Sequence, residues 1–444
     1  MKIVIAGAGE VGTHLAKMLS NEEQDIILID NDQERLDLID SNYNLMTLNG
    51  STSSFEMMRV AGVANADLYI AVTPFETRNI TSCAIAKRLG AKKTVARIDN
   101  FEFMEERNIV TLKNIGVDNV IYPEFLAAQE ILTALEHDWT RHWGELHNGE
   151  LLLIGVKLRA PSPLINTKLK DMPVKGHLFH VAAIKRNHET IIPYGNDMIL
   201  ENDIVYFITT EPYINYVRDL CGKKQHNIKK ILIMCGSRIA VRFALQFSEK
   251  FHIKIIEENR ELCEQLSTRL PYCEIEHGDP KDIEVLMDNN IEQYDAFLAL
   301  SDSSETNILA CLTAKEFGVH KTVAEVENLQ FLSQAENLNI GTSINKKLLA
   351  SSKIFKLLLD ADEDSSKCLA LADAEVAELN VRKGAKITKG LVKDLKLPYG
   401  MTLAAVIHDG SCSLVSGMTQ IYEGDHVVVF CLSGSISKIE KWFN

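Results

Sequence analysis

The sequence predicts an α/β protein made of two tandem parallel-sheet domains, each followed by a small α+β lobe. Three observations carry this. The 444 residues are enough for about two to four domains at ~100–200 residues each. Strand-like apolar runs alternate with helix-period segments, the signature of a parallel sheet covered on both faces. The chain also repeats itself. Lys2–Ala16 (KIVIAGAGEVGTHLA) aligns with Lys230–Ala244 (KILIMCGSRIAVRFA), and at the same offset Asp67–Asn100 aligns with Asp295–Asn328. Matches within the second pair include Asn79/Asn307, Cys83/Cys311, Lys87/Lys315, Gly90/Gly318 and both KTVA tetrapeptides. Lys168–Ile184 and Leu391–Ile407 correspond more weakly.

Within the first copy, Lys2–Ile5 reads as a strand, followed by a glycine turn, a helix over Thr13–Ser20 and a strand at Ile26–Ile29. A third strand precedes Gly50, and a helix covers Ser53–Ala61. A strand at Leu68–Val72, a helix at Arg78–Leu89, a strand at Thr94–Arg97, a short helix at Phe101–Glu106 and a strand near Val120 complete the alternation. Pro123 suits the first turn of a longer amphipathic helix. The β-rich runs LLLIGVKL, FHVAAI and DIVYFIT, split by turn residues, make a lobe of about 70 residues, marginal alone and in need of docking. The expected segments are 1–122 (first sheet domain), 123–149 (crossover helix and linker), 150–224 (first small lobe), 228–344 (second sheet domain), 345–367 (crossover helix and acidic linker) and 368–444 (second small lobe). The two crossover helices are candidates for swapping or dimerisation, with burial in a core as the alternative.

Composition narrows the function. A hydrophobic fraction of 46% and a charged fraction of 24% are those of an ordinary globular protein. The formal charge of −14, shared evenly by the two halves, argues against nucleic-acid binding or adhesion to an anionic membrane. No run approaches the ~18 apolar residues of a spanning helix, so direct lipid insertion is not expected. The start MKIVIAGAGE lacks a signal-peptide pattern. Nine cysteines without a C-x-x-C pair fit a reduced, cytoplasmic inventory.

The chemistry concentrates at Gly7-Ala8-Gly9-Glu10-Val11-Gly12, a G-x-G-x-x-G that follows a strand and opens a helix. Gly7 permits a tight turn, Gly9 lets backbone approach a pyrophosphate, and Gly12 allows close helix–strand packing, with the helix N-terminus facing the anion. The sheet domain is therefore expected to be Rossmann-like. Asp30, ending the second strand, is placed to accept hydrogen bonds from ribose hydroxyls. Asn31 and Asp32 follow it, so a 2′-phosphate would be repelled and NAD(H) or an adenine nucleotide is favoured over NADP. Ser51-Thr52 and Thr73-Pro74 follow the third and fourth strands at the ligand-binding edge of an open α/β sheet. Arg97, ending another strand, either reaches a phosphate or makes a surface ion pair.

The second copy has lost the fingerprint. Cys235, Ser237 and Ala240 stand at the three glycine positions, while Glu257 replaces Asp30 and Asp279 stands opposite Ser51. Its fold is expected to persist with nucleotide affinity weakened or altered. Metal sites are not expected. His137, His142 and His147 are spaced by five, and His177/His180 point to opposite sides of a β-like run. Asp360, Asp362 and Asp364 imitate the start of a calcium loop, but Ser365 and Leu371 occupy its glycine and glutamate positions. No hydrolase or P-loop motif occurs, and no acid–base pair follows either glycine turn, so no catalytic residues are assigned and the chain does not read as an enzyme.

These motifs, with LID-ND, ADLYIAVTPFETRNITSCAIAKRLGAKKTVARI and YPEFLAAQEI in order and duplicated, resemble the RCK (KTN) regulatory domains of potassium channels and transporters. The small lobes resemble the RCK C-terminal subdomain. Two full copies without a membrane span are similar to the cytosolic subunits of Trk-type potassium uptake systems. The resemblance implies a homo-oligomeric ring, dimeric or tetrameric, peripheral at the inner face of the membrane. It implies a potassium-translocating Trk-type membrane subunit as partner and NAD(H) or ATP/ADP as regulatory ligand. The family's nucleotide residues correspond to Gly7–Gly12, Asp30, Ser51-Thr52, Thr73-Pro74 and Arg97. Two rival readings remain, an NAD-dependent oxidoreductase and a stand-alone nucleotide sensor with another partner.

Overall fold

Four sheets organise the chain. The computed structural model describes residues 1–20, 24–172, 178–187, 189–338, 340–359, 367–371, 374–432, 439 and 441–444. The proposed acidic linker around Asp360–Ser366, and His177, lie outside them. The first sheet domain contains β1 (Lys2–Ala6), α1 (Glu10–Ser20), β2 (Asp25–Asp30), α2 (Gln33–Asp40), β3 (Met46–Asn49), α3 (Phe55–Val60), β4 (Leu68–Ala71), α4 (Glu76–Leu89), β5 (Lys93–Arg97), α5 (Glu106–Ile115) and β6 (Asn119–Ile121). Its strands are parallel, in the order β3-β2-β1-β4-β5-β6. The apolar runs of β1, β2 and β4 are buried on both faces, which explains why they lack polar alternation.

The structure departs from the expected elements in four places: α2 is an added helix, a strand at His142–Leu146 falls within the expected 123–149 linker, and α1 and α5 differ in extent. Helix α1 begins at Glu10 rather than Thr13, because the fingerprint residues Glu10, Val11 and Gly12 form its first turn. Helix α5 extends to Ile115, past the expected short helix, which is only a 3-10 turn at Phe101–Met104. Only Leu112 of α5 is buried, so the helix lies largely at the surface.

Helix α6 (Pro123–Glu136) leads to the first small lobe, with β7 (His142–Leu146), β8 (Leu151–Lys157), β9 (Phe179–Arg186), β10 (Glu189–Ile191), β11 (Ile204–Thr209) and α7 (Ile214–Leu220). The second sheet domain then repeats the first: β12 (Lys230–Met234), α8 (Arg238–Phe247), β13 (His252–Glu257), α9 (Arg260–Arg269), β14 (Glu274–His277), α10 (Ile283–Asp288), β15 (Ala296–Ala299), α11 (Ser304–Glu316), β16 (Lys321–Glu325), α12 (Leu329–Asn337) and β17 (Thr342–Ile344). Its parallel order, β14-β13-β12-β15-β16-β17, reproduces that of the first. Helix α13 (Lys346–Leu359) precedes the second small lobe of β18 (Lys367–Leu371), β19 (Ala374–Asn380), β20 (Met401–His408), β21 (Ser411–Leu414) and β22 (His426–Leu432).

The fold resolves into two compact units. One holds residues 1–129, 238–243 and 345–361; the other holds 130–237, 244–344 and 362–444. In the first, α13 packs along α1, burying Ala350, Ile354 and Phe355 on one helix and Leu15 and Leu19 on the other. The crossover helix of the second copy thus covers a helix of the first copy's sheet domain. In the second, the antiparallel small-lobe sheets share one core, with Leu151, Leu153, Ala182, Ile204 and Ile208 meeting Val376, Ala404, Ala405, Val428 and Phe430. Each fully buried aliphatic side chain contributes about 1.5–3 kcal/mol, and this shared core meets the small lobe's need for docking. The eight cysteines whose side chains are described are free thiols. Among the described residues no helix is long and apolar enough to cross a membrane.

Candidate functional site

The residues singled out in the first copy converge on the carboxyl edge of its sheet. Strand order reverses between β1 and β4, and such a switch point opens a crevice where open α/β sheets bind ligands. The turn after β1 supplies one wall. Gly7 has φ +114°, and a Cβ there would lie 3.0 Å from the Thr73 nitrogen. A Cβ on Gly12 would lie 1.9 Å from the Gly7 carbonyl oxygen, so this glycine is required for helix and turn to touch. Gly9 differs from both. A Cβ there would meet nothing within 4 Å among the described residues, so its bareness is not required for packing against them and leaves open space beside the first turn of α1. The first N–H groups of a helix have no partner within it, so a turn placed this way suits an anion.

Asp30 anchors the turn. Its Oδ2 accepts from Ala8 N at 2.6 Å, its Oδ1 accepts from Asp32 N at 2.9 Å, and its carbonyl accepts from Gly50 N at 2.8 Å. Asp30 is buried at 8% exposure, and its carboxylate keeps lone pairs beyond those two bonds. Next to it, Ser51 Oγ pairs with Ser53 Oγ at 3.2 Å, while the Thr52 hydroxyl is buried with no partner among the described residues. Tyr69 holds this loop by donating to the Thr52 carbonyl at 3.0 Å.

Thr73, after β4, is fixed by Asn79 of α4. Asn79 Oδ1 accepts from Thr73 N at 3.0 Å and from Thr73 Oγ1 at 2.6 Å, and its Nδ2 donates to the carbonyls of Thr73 and Arg97, each at 2.9 Å. One fully buried amide therefore ties the ends of β4 and β5 together. Pro74 is exposed at the rim. Arg97 makes only a long contact to Asp99 (3.4 Å), and its buried Nε–H has no acceptor among the described residues. An unanswered guanidinium donor at a ligand edge fits a phosphate oxygen. The glycine turn, Asp30, Ser51-Thr52, Thr73-Pro74 and Arg97 thus share one edge with a cradle open at Gly9, an arrangement that suits a dinucleotide or adenine nucleotide.

Sequence reasoning missed Asn79 as a site-building residue, although its identity with Asn307 was the available signal. It also missed Arg238, whose guanidinium lies 3.0 Å from Asp99 and 3.4 Å from the buried Glu124 in the same unit. Arg238 stands at the Glu10 position of the other copy, and no motif within the first copy points to it. Glu10 itself contacts Lys347 of α13.

The second copy keeps the scaffold and changes the cradle. Asn307 repeats the amide ties, to Ser301 and to the Glu325 carbonyl. Glu257 accepts from Gly236 N at 2.7 Å and Asn259 N at 2.8 Å, as Asp30 does from Ala8 and Asp32. Cys235 holds φ +72° where Gly7 stands in the first copy, a conformation disfavoured for a residue with a Cβ. Leu266 fills the space over the turn, so a Cβ on Gly236 would lie 2.3 Å from its Cδ1. Glu257, Glu258 and Asp279 gather at this edge with Lys281 as a cation. Their charge disfavours a pyrophosphate.

Comparisons with known proteins bear on the family and the fold. The TrkA-N domain family matches residues 3–123 and again 231–346, and the TrkA-C domain family matches 153–222. The Trk system potassium uptake protein TrkA of Haemophilus influenzae is 28% identical over 454 residues, covering 100% of this chain and 98% of that protein. The Trk system potassium uptake protein TrkA homolog of Archaeoglobus fulgidus is 30% identical over 447 residues, covering 100% of each. Among solved structures, the GsuK channel bound to NAD is similar in fold, with a TM-score of 0.59 at 14% identity, covering 100% of this chain and 78% of that one. Two TrkA-N matches spanning more than half the sequence, with full-length likeness to TrkA proteins, establish that the chain belongs to the TrkA family.

Proposed function

We propose that this chain is a non-enzymatic regulatory subunit of a Trk-type potassium uptake system, with NAD(H) or an adenine nucleotide bound at the first copy's sheet edge. The observation that carries the nucleotide reading is Gly9, bare toward open space at the N-terminus of α1. Asp30 would hold the ribose, the first turn of α1 and Arg97 the phosphates, and Thr73 the loop above them. The likeness to proteins named as Trk system potassium uptake proteins supports the partner, a potassium-translocating membrane subunit. The NAD-bound GsuK channel, alike in fold, supports the ligand class. In this reading residues 1–122 sense the nucleotide, 228–344 preserve the fold with altered ligand affinity, and the small lobes at 150–224 and 368–444 serve assembly.

The mechanism is ligand-biased gating. A nucleotide shifts the pore only by its differential affinity for two arrangements of the subunit ring, typically ~1–3 kcal/mol per coupled site. The test is co-purification with a Trk-type membrane subunit, followed by potassium flux in vesicles with and without NADH or ATP. A complex whose flux responds to nucleotide, with the response lost in Gly9→Trp, is the expected result. Failure to form the complex, or flux indifferent to this protein and to every nucleotide, overturns the proposal.

A further inference from the structure

A cavity of about 560 Å3 lies within the second unit, and none of its lining residues is among the site residues assigned above. Its size is that of a small-molecule site. Arg141 enters it from the approach to β7, and Lys157 and Arg159 from the end of β8. Lys223 and Lys224 come from the chain after α7, and Lys315 and Lys321 from the end of α11 and the start of β16. Asp138 is the one carboxylate among the described lining residues, and it is already engaged. Its Oδ2 lies 2.7 Å from His320 Nε2 and 3.0 Å from His226 Nδ1. Seven basic side chains and one carboxylate line the cavity, in a chain whose formal charge is −14, a composition that biases its potential toward positive.

The two lysines of the second sheet domain are oriented by carbonyls. Lys321 donates to the Asp138 and Thr140 carbonyls at 3.1 and 3.2 Å, and Lys315 donates to those of Val319 and His320. Such dipoles aim an ammonium without cancelling its charge. The duplication supplies an internal comparison. In the first copy Lys87 meets the Asp118 carboxylate at 2.8 Å. Register places Gly341 at the Asp118 position, since Val95 pairs with Asn119 and Val323 with Thr342. The second copy has therefore exchanged the acid for a glycine that now lines the cavity. Gly341 has φ +85°, and a Cβ there would lie 1.9 Å from the Thr322 carbonyl oxygen, so no side chain can restore the charge without moving the backbone.

Burial, and next the Arg141 guanidinium, push Lys321 down to about 7 and Lys315 to about 8, while Asp138 and, for Lys321, Glu130 act in the opposite sense. Trp139, in the same wall, is 7% exposed and its indole N–H has no acceptor among the described residues.

We infer that this cavity is an anion site for a polyphosphate chain, a second ligand site separate from the glycine turn of the first copy. Linked phosphates bring several charges and many acceptor oxygens to the Arg and Lys donors, which a single carboxylate or halide does not. The same crowd of cations opposes a divalent metal at Asp138, His226 and His320, whose ligand atoms lie within 4.8 Å of one another. The inference does not depend on the nucleotide reading of the first copy.

The test is calorimetric titration of the full chain with sodium triphosphate, with ATP and with zinc alone, using wild type, Gly9→Trp and the double variant Arg159→Glu/Lys224→Glu. Lys224 is exposed and Arg159 half-buried, and a thermal melt checks that the double variant is folded. Triphosphate should bind wild type and Gly9→Trp alike, with proton uptake at neutral pH, and bind the double variant about tenfold or more weakly. Arg159→Lys should recover part of the loss. ATP binding to Gly9→Trp would identify a nucleotide's phosphate tail as the source, and triphosphate alone would identify free polyphosphate. Absence of triphosphate binding at millimolar concentration, affinity unchanged in a folded double variant, or zinc binding with no anion binding overturns the inference.

Discussion

Asp30 and Ala8 lie 22 residues apart in sequence, and the carboxylate of one accepts the backbone N–H of the other at 2.6 Å. The bond welds the end of β2 to the glycine turn after β1. Glu257 and Gly236 repeat it at 2.7 Å in the second copy, where the cradle is otherwise altered. The carboxylate therefore holds the turn in both copies, and in the proposed reading the first copy's also meets the ligand. Asp30→Ala leaves two backbone donors unanswered, at a cost of about 1–3 kcal/mol each when buried, and should weaken nucleotide binding by at least about tenfold. Glu257→Ala should cost similar stability in urea melts and leave nucleotide titration unchanged. Equal loss of binding from both variants would refute the asymmetry.

Gly9 and Gly12 separate folding from binding. Gly12→Ala drives a methyl into the Gly7 carbonyl at 1.9 Å, so the turn and helix must part, at a cost of roughly 1–3 kcal/mol or more. Gly9→Ala has room, and its cost is confined to the ligand's approach. Thermal melts should show a large loss for Gly12→Ala and almost none for Gly9→Ala. Nucleotide titration should show a clear loss for Gly9→Ala. A folded Gly9→Ala protein with unchanged affinity would place the ligand elsewhere.

How much of this was legible in the sequence depended on where each signal lives. The glycine turn, Asp30 and the duplicated sheets were visible because local spacing encodes them. The start of α1 was misplaced because Glu10, Val11 and Gly12 look like turn residues until the Gly7–Gly12 contact puts them on a helix. Helix α5 was missed, the expected short helix at Phe101–Glu106 falling on the 3-10 turn that precedes it, and α5 buries only Leu112. Arg238, and the cation-lined cavity around Lys321, arise from residues brought together across more than a hundred positions, and no local pattern records such a meeting. The exchange of Asp118 for Gly341 becomes readable only after strand register has aligned the two copies.

Asn79 and Asn307 make the same four hydrogen bonds in the two sheet domains, and both are fully buried. Replacing either with Ala strands two carbonyls, one N–H and one hydroxyl, a loss of about 3 kcal/mol or more. Stability by chemical denaturation should fall comparably in each. Only Asn79→Ala should also weaken nucleotide binding, because it releases Thr73 and the carbonyl of Arg97 at the ligand edge. Loss of binding in Asn307→Ala to the same degree would show that the second edge is occupied as well.

His180 sets an acid limit on the shared core of the small lobes. Its ring lies 3.0 Å from Thr402 Oγ1, and burial pushes its pKa down to about 4. The unfolded chain binds a proton near the ordinary value of about 6.5, so between about pH 6.5 and 4 the unfolded state holds more protons than the folded one. Stability contributed by the neutral imidazole is thus fully present above about 6.5 and is lost as pH falls toward 4, by up to about 3 kcal/mol. Burial lowers His14 and His137 in the same direction, while His408, raised by its hydrogen bond to Asp425, works in the opposite sense. The total slope mixes these groups, and a variant isolates one of them. His180→Gln keeps a polar group near Thr402 but cannot titrate, so its denaturation midpoint should fall less steeply than that of wild type between pH 6.5 and 4. Parallel slopes for the two proteins would show that His180 is not the group that charges when the small lobes come apart.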